Sequence, residues 1–593
     1  MNLRNFLTKV DRLTSQMSKS ELETFVHENA RLLSETKRAD YLDTLKIFSQ
    51  EAETHDIDVV KSQLKMSENF EQECIYFQEE ILKMEEAELY LRGYYEYNEW
   101  YYDTDDELTY RDPDRVTDVI TDMCEYIHRC VDYEEYAFGY EIAKRLIGLK
   151  IWVEVEEWGS CEELLTIKDL EEQQLFDKAY KQVVLDGLYL AYCANDISSR
   201  AKALYKMFEF SGMQDITLEM VMQNGEELTD VAEFLPVWID YLGKIAAPCA
   251  EHLLKEALEL MNDPEIILIN ARKFFDVHPV LYKQYLNSVW NTEEKKSLFA
   301  VGNEALENID IQSVVRSKIA KRLSVLALEE QKRNDAETYW LEAFRSETTV
   351  TNYMRLFIES TDGNVYTDQT RQIYYSLLPK SGSNISSYES ERKQKINNPS
   401  PMTVCMLAFL GGEFQYIRKH VMDVTFSLGW STTFMKCGLS AFILLLLDSK
   451  ELPMACKKMC SRIVWSVDFN KNEYQKWSNT ENDLSSEEWF WECFKKWKEQ
   501  MEVSDEQRQE YLRWIEKLIK KRVKAIMEAN RRNYYDECAS YIAALGEVVE
   551  SWGEAGARTR ILLEYKKQYS RRSAFHRELR KYGMPDTRRR RRY

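Results

Sequence analysis

The stretch SVVRSKIAKRLSVLALEEQKRNDAETYWLEAF (313–344) constrains the fold more than any other part of the chain. Ala320, Leu323, Ser324 and Ala327 recur at three- and four-residue intervals, which on a helix places them on one face. Beyond the polar break KRND, Ala336, Trp340 and Ala343 repeat the pattern. The spacing predicts two short amphipathic helices closed into a hairpin, with small residues allowing close approach and Trp340 filling the remaining gap. Almost no polar side chain is left to converge on a reacting group, so the segment is architecture rather than catalysis.

The spacing returns 86 residues earlier, in Phe234, Val237 and Tyr241 followed by Ala250, Leu254 and Ala257. Only 19 glycines and 10 prolines punctuate 593 residues, below the usual roughly 7% and 5%, so long helices with few tight turns follow. Alternating Val/Ile/Thr runs are too few for a convincing set of strands. A chain of this length outgrows one ordinary core unless it extends by repetition. The two hairpins resemble the tetratricopeptide repeat, with large apolar residues on the first helix and A-x-x-x-large-x-x-A on the second. Trp238 stands where that repeat has a small residue, and the interval is no multiple of its period of about 34 residues. The expected fold is all-α: a degenerate tetratricopeptide-like helical-hairpin solenoid in two halves, of bacterial type.

Along the chain, helices are expected at 2–17 and 20–35, separated by a Ser18/Glu21 capping box, then at 38–50 and 56–97. The acidic stretch around Pro113 should be a loop, followed by a hairpin from Val116 to about Trp152 that turns near Asp132. This divides the chain into an N-terminal helical region (1–102), tetratricopeptide-like repeats (116–359), a Ser/Asn/Gly/Pro-rich linker (360–401) holding a short helix at 368–378, a C-terminal helical region (402–582) and a basic disordered tail (583–593). Within the C-terminal region Gly411-Gly412 should end a helix, Ser485/Glu488 forms a second capping box, and a long helix is expected from Asp505 to about Asn530. The longest apolar run, Leu439–Leu447, is about half the roughly 20 residues of a membrane helix. The N-terminus lacks the apolar core of a signal peptide. A cytoplasmic protein without membrane contact is expected.

Further on, Asn533-Tyr534-Tyr535, Ala539, Ala543-Ala544-Leu545-Gly546, Tyr569, Arg571-Arg572, Phe575 and Glu578-Leu579 resemble the helical tails of bacterial SWIM zinc-finger proteins over about 50 residues. That family is defined by a C-x-C…C-x-H zinc motif, and no C-x-C occurs here. The resemblance implies a helical adaptor and carries over no zinc and no functional residue. Cys456/Cys460 and the segment CEYIHRC (Cys124, His128, Cys130) lack metal-ligand spacing and are taken as reduced core residues. No cofactor is expected.

Enzymatic motifs are missing as well. There is no G-x-x-x-x-G-K-[ST], no G-x-S-x-G and no H-E-x-x-H, and the seven histidines are so scattered that a dyad would have to come from distant helices. DTDDE at 103–107 lacks the glycine and distal glutamate of a calcium loop. Two features remain. Tyr90, Tyr94, Tyr95, Tyr97, Trp100, Tyr101, Tyr102 and Tyr110 stand among acidic residues, where amphipathic aromatics would anchor a basic partner; Tyr90, Tyr94, Tyr97 and Tyr101 could equally form a buried helical stripe. At the C-terminus, residues 558–593 hold fourteen Lys/Arg against three acids, a net +11, which leaves −33 on the remainder of a chain of net charge −22. Arg588, Arg589, Arg590, Arg591 and Arg592 should form a solvated arm that could bind phosphate, fit a partner's acidic groove or serve solubility alone. The sequence therefore points to a non-enzymatic scaffold or adaptor that binds a protein, with Tyr94, Tyr95, Trp100, Tyr102 and Arg588–Arg592 as candidate contacts. The alternatives are a nucleic-acid-associated subunit using the arm and, behind it, an enzyme with an unrecognised site.

Overall fold

Val314–Glu329 and Arg333–Ser346 form the expected hairpin. Ala320, Leu323, Ser324, Ala327, Ala336, Trp340 and Ala343 are all fully buried. The turn between the helices explains how KRND works without glycine. Gln331 takes a positive φ of 58°, its N–H bonds the Leu328 carbonyl at 3.0 Å, and the Lys332 N–H bonds the Ala327 carbonyl at 2.8 Å. This paired closure satisfies two carbonyls at the helix end. The Trp340 indole N–H donates to the Trp477 carbonyl at 3.1 Å, so the hairpin is tied to a segment far along the chain.

These features come from a computed structural model, which describes residues 17, 19, 26, 55–95, 108–155, 162–378 except 214, and 396–585 except 424–426 and 479. The chain divides into two compact units, Met1–Ile266 and Ile267–Tyr593.

In the first unit, Val231–Leu242 and Pro248–Met261 make the earlier hairpin. Its buried register is Phe234, Leu235, Trp238, Ile239 and Leu242, and Val237 is exposed. The sequence pattern assigned Val237 to the core; the structure corrects it by one position, because the larger Trp238 takes the interior and stacks between Phe234 and Tyr241. Ala250, Leu254 and Ala257 are fully buried as expected.

The same unit holds an element the composition did not announce, a four-stranded sheet of order β2-β1-β3-β4. Its strands are β1 (Leu91–Tyr95), β2 (Leu108–Arg111), β3 (Ile151–Val155) and β4 (Glu162–Leu165). β1 runs antiparallel to β2 and parallel to β3, and β3 runs antiparallel to β4. The helix expected over 56–97 ends at Glu85. The hairpin expected over 116–152 consists of Val116–Asp132 and Tyr136–Leu146 and serves as the crossover between the parallel strands. Ile151, Val153 and Val155 are buried with exposed Glu154 between them, the alternation of a strand covered on one face.

The second unit begins as stacked helices. Lys295–Asn308 packs on Val314–Glu329, which packs on Arg333–Ser346, which packs on Val350–Glu359. Each buries its apolar stripe against the next. Continuing across 360–401, Tyr353, Phe357 and Tyr374 share one core with Cys405–Leu410 and with Leu439–Leu447. Gly411 permits this approach: a Cβ there would lie 1.9 Å from the Tyr374 hydroxyl. The apolar run is the interior of the Met435–Leu446 helix, and no described helix is long and apolar enough to cross a membrane. Both residues of the Ser485/Glu488 capping box bond as expected, and the long helix spans Asp505–Glu528. The residues that carry the zinc-finger-protein resemblance are mostly packing residues: Tyr535, Ala539, Ala543, Ala544, Leu545, Phe575 and Leu579 are buried, and Gly546 lets the Arg558 backbone approach to a distance a side chain would block. Met584 is buried too, so the folded chain reaches past the start of the expected tail.

Candidate functional site

Of the residues singled out in the sequence, Tyr94 and Tyr95 lie on β1. Tyr94 is half-buried, with the Arg111 guanidinium 4.3 Å from its ring centroid, and its carbonyl accepts a bond from the Thr109 hydroxyl at 3.1 Å. The helical stripe through Tyr90, Tyr94, Tyr97 and Tyr101 does not form at Tyr94, because the helix stops six residues before the strand and the backbone there is extended. Trp100, Tyr102, the acidic loop 103–107 and Arg588–Arg592 lie outside the described residues.

A cavity of about 520 Å³ opens in the first unit, lined among others by Cys124, His128 and Asp186. The Val116–Asp132 helix supplies the first two and the Tyr180–Cys193 helix supplies Asp186. Asp186 is 2% exposed. It faces His128 Nδ1 at 2.9 Å and accepts from Gln182 Nε2 and Asn224 Nδ2, each at 2.8 Å. A buried carboxylate needs such saturation. The hydrogen bond that His128 donates to Asp186 raises the pKa of His128 against the effect of partial burial. With Nδ1 engaged, Nε2 is the ring atom available to the cavity. At the mouth Lys178 pairs with Glu125 at 2.9 Å, while Arg129 pairs with Glu73 and lies over the Phe70 and Tyr126 rings.

What this arrangement can do is limited by its neighbours. His128 can exchange a proton or a hydrogen bond through Nε2. Covalent catalysis would also need an activated nucleophile, and burial pushes the Cys124 thiol up to about 12, so it stays protonated at neutral pH. Cys124 is therefore not an activated nucleophile, and the His128–Asp186 pair is the polar feature of the cavity. In the sequence CEYIHRC looked like core. Cys124 and Cys130 are indeed buried, but His128 is exposed and reaches a carboxylate 58 residues away. No local spacing could have announced that pairing.

Cys456 and Cys460 are buried packing groups. Cys460 Sγ contacts the Glu487 carbonyl at 3.2 Å. The Cys456 N–H and the Ala455 N–H donate to the Glu547 carboxylate at 2.8 and 3.0 Å, so Glu547 holds the start of the Met454–Ser466 helix. Among the described residues no group of three or more His, Cys, Asp and Glu is placed to hold a metal ion.

No family model matches the chain, and no curated protein matches it. Among solved structures it is similar to a "circular tandem repeat protein with novel repeat topology and enhanced subunit contact surfaces", at 12% identity over 79% of this chain and 90% of that one, with a TM-score of 0.15. At that score the fold rests on the helix packing described above. The described chain is largely helical, and no family model supports tetratricopeptide or zinc-finger kinship.

Proposed function

We propose that the protein is a non-enzymatic scaffold that binds a protein partner on the surface of its helical stack. One observation carries this reading: the buried cations of the stack tie helix to helix. Arg316 donates to the Leu306 carbonyl at 3.0 Å, to Ser346 at 2.9 Å and to Glu342 at 2.5 Å. Lys321 reaches Glu347 at 2.7 Å. Fully buried Arg355 donates to Asn352 and to the Glu473 carbonyl, each at 2.9 Å. Charges held this way fix the relative positions of neighbouring helices, and a fixed array offers a preorganised surface at low entropic cost.

The test is capture from native lysate with the full chain and with Val365→Asp and Tyr375→Asp, two exposed positions (64% and 54%) beside the stack. A stoichiometric protein retained by the wild type and lost from a variant of unchanged melting temperature supports the scaffold. Recovery of nucleic acid alone, sensitive to deletion of Arg588–Arg592, would replace it with the nucleic-acid reading.

A further inference from the structure

Trp465 is 82% exposed, more than any other large hydrophobic side chain among the described residues. It sits near the end of the Met454–Ser466 helix. The opposite face of that helix is fixed in the core by Ala455, Cys456, Met459, Cys460, Ile463 and Val464. Since 3.6 residues make a turn, Met454, Lys458, Ser461 and Trp465 fall on one outward stripe, with Lys457 beside it. Met454 is 53% exposed, and the Lys457 and Lys458 side chains are 53% and 56% exposed. Trp465 and Met454 thus stand at the two ends of a strip about 16 Å long, with lysines between them.

The charge of this helix runs against that of the chain. It carries Lys457, Lys458 and Arg462 and no acid, in a protein with 101 Asp/Glu against 79 Lys/Arg. Arg462 is already held, against Ser540 at 2.7 Å and over the Tyr541 ring. Lys457 meets Glu488 at 3.1 Å, while Lys458 has Asp536 only at 4.0 Å. From the helices packed against this one, Glu487, Glu488 and Asp536 face the strip's edges.

We propose that this stripe docks an acidic amphipathic helix of a partner protein, whose apolar residues cover Met454 and Trp465 and whose carboxylates meet Lys457 and Lys458. The inference rests on the scaffold reading and names the chemistry of its partner. An exposed tryptophan is the side chain most typical of a binding hot spot, and the spacing of the two apolar ends matches anchors on a helix lying along it. The two apolar ends, eleven residues apart on one helix face, favour an amphipathic helix over a phosphate backbone, which has no apolar side chains to cover Met454 and Trp465 together.

Fluorescence anisotropy with three labelled probes tests it: a capped alanine-based peptide of about 18 residues with two leucines eleven residues apart and glutamates between them on the same face, its lysine-for-glutamate counterpart, and a thymidine oligonucleotide. The acidic peptide should bind tightest, more weakly as salt rises. Trp465→Ala should weaken it at least about tenfold and Lys457→Glu/Lys458→Glu should abolish the preference for acid, both at unchanged melting temperature because these side chains are exposed. Equal binding of the two peptides, indifference to Trp465→Ala, or Trp465-dependent binding of the oligonucleotide alone would overturn the proposal. If a protein captured from lysate stays bound to Trp465→Ala, the stripe fails while the scaffold stands.

Discussion

Replacing Trp340 separates two contributions that hold the repeat stack together. Trp340→Ala removes a fully buried indole from among Ala327, Ala336, Leu341 and Leu356, a change that costs about 3–5 kcal/mol in a packed interior. It also leaves the Trp477 carbonyl without the indole donor, worth about 1 kcal/mol more. Trp340→Phe keeps most of the apolar volume and loses that bond, so it should cost about 1–2 kcal/mol. Hydrogen exchange read by mass spectrometry can localise the effect in a chain with two units. Peptides from 314–359 should exchange about a thousandfold faster in Trp340→Ala, since each 1.4 kcal/mol is a factor of ten, and about tenfold faster in Trp340→Phe. Peptides from 116–193, in the other unit, should keep their wild-type rates. Unchanged protection of 314–359 in Trp340→Ala would refute the claim that this side chain closes the hairpin, and equal effects of the two variants would refute the role of the bond to Trp477.

Three other outcomes are expected. Burial alone would raise the Glu347 carboxyl, but the charge of Lys321 and the bonds from Lys321, Ser317 and Asn352 outweigh it and hold the pKa below the ordinary range; a depressed folded value gives stability above the unfolded pKa of about 4.3 that is lost as pH falls through the folded one, so acid unfolding of the second unit should be less steep in Glu347→Gln. The His128 pKa is raised, first by the bond it donates to Asp186; its contribution is complete below the unfolded value of about 6.5 and fades as pH rises through the folded one, and an NMR titration should find His128 above that value in the wild type and lower in Asp186→Asn. Arg522 is fully buried, donates to Glu537 at 2.8 and 3.0 Å and to the Ser427 and Leu428 carbonyls at 2.7 and 2.9 Å; Arg522→Met should cost about 3–5 kcal/mol in urea unfolding, leaving both carbonyls without their donor and Glu537 with Lys436 alone, 2.8 Å away.

What the sequence made legible follows from the range of the forces involved. A helix face is written at intervals of three and four residues, so the Val314–Glu329 and Arg333–Ser346 helices, the Ser485 cap and the interior helix over Leu439–Leu447 could all be inferred locally. The sheet could not. β1 and β2 are five and four residues long, shorter than the window in which alternation shows, and β1 finds its parallel partner only after two helices have intervened. Ile151–Val155 does alternate, but its first two residues fell inside the hairpin expected to run to about Trp152. The Val237/Trp238 shift has the opposite cause: side-chain size overrode a register inferred from hydrophobicity alone.

The candidate sites were hidden for a further reason. His128 and Trp465 are ordinary in sequence, one inside a helix of apolar residues and the other following Ile463-Val464 as if it continued the core. Only packing distinguishes them. Neighbouring helices cover the face that bears Ile463 and Val464 and leave Trp465 outside, while Asp186 turns His128 toward a cavity. The buried cations show the same logic in reverse. In a chain dense with charge, Arg316, Lys321, Arg355 and Arg522 look like surface residues, yet each is nine-tenths or more buried and bonded to residues or backbone carbonyls of other helices or loops. A long flexible cation can reach a carbonyl or carboxylate across a helix interface that an apolar side chain could only fill. At these four positions packing overrides residue type, and the surface chemistry must be derived from what the helices leave uncovered.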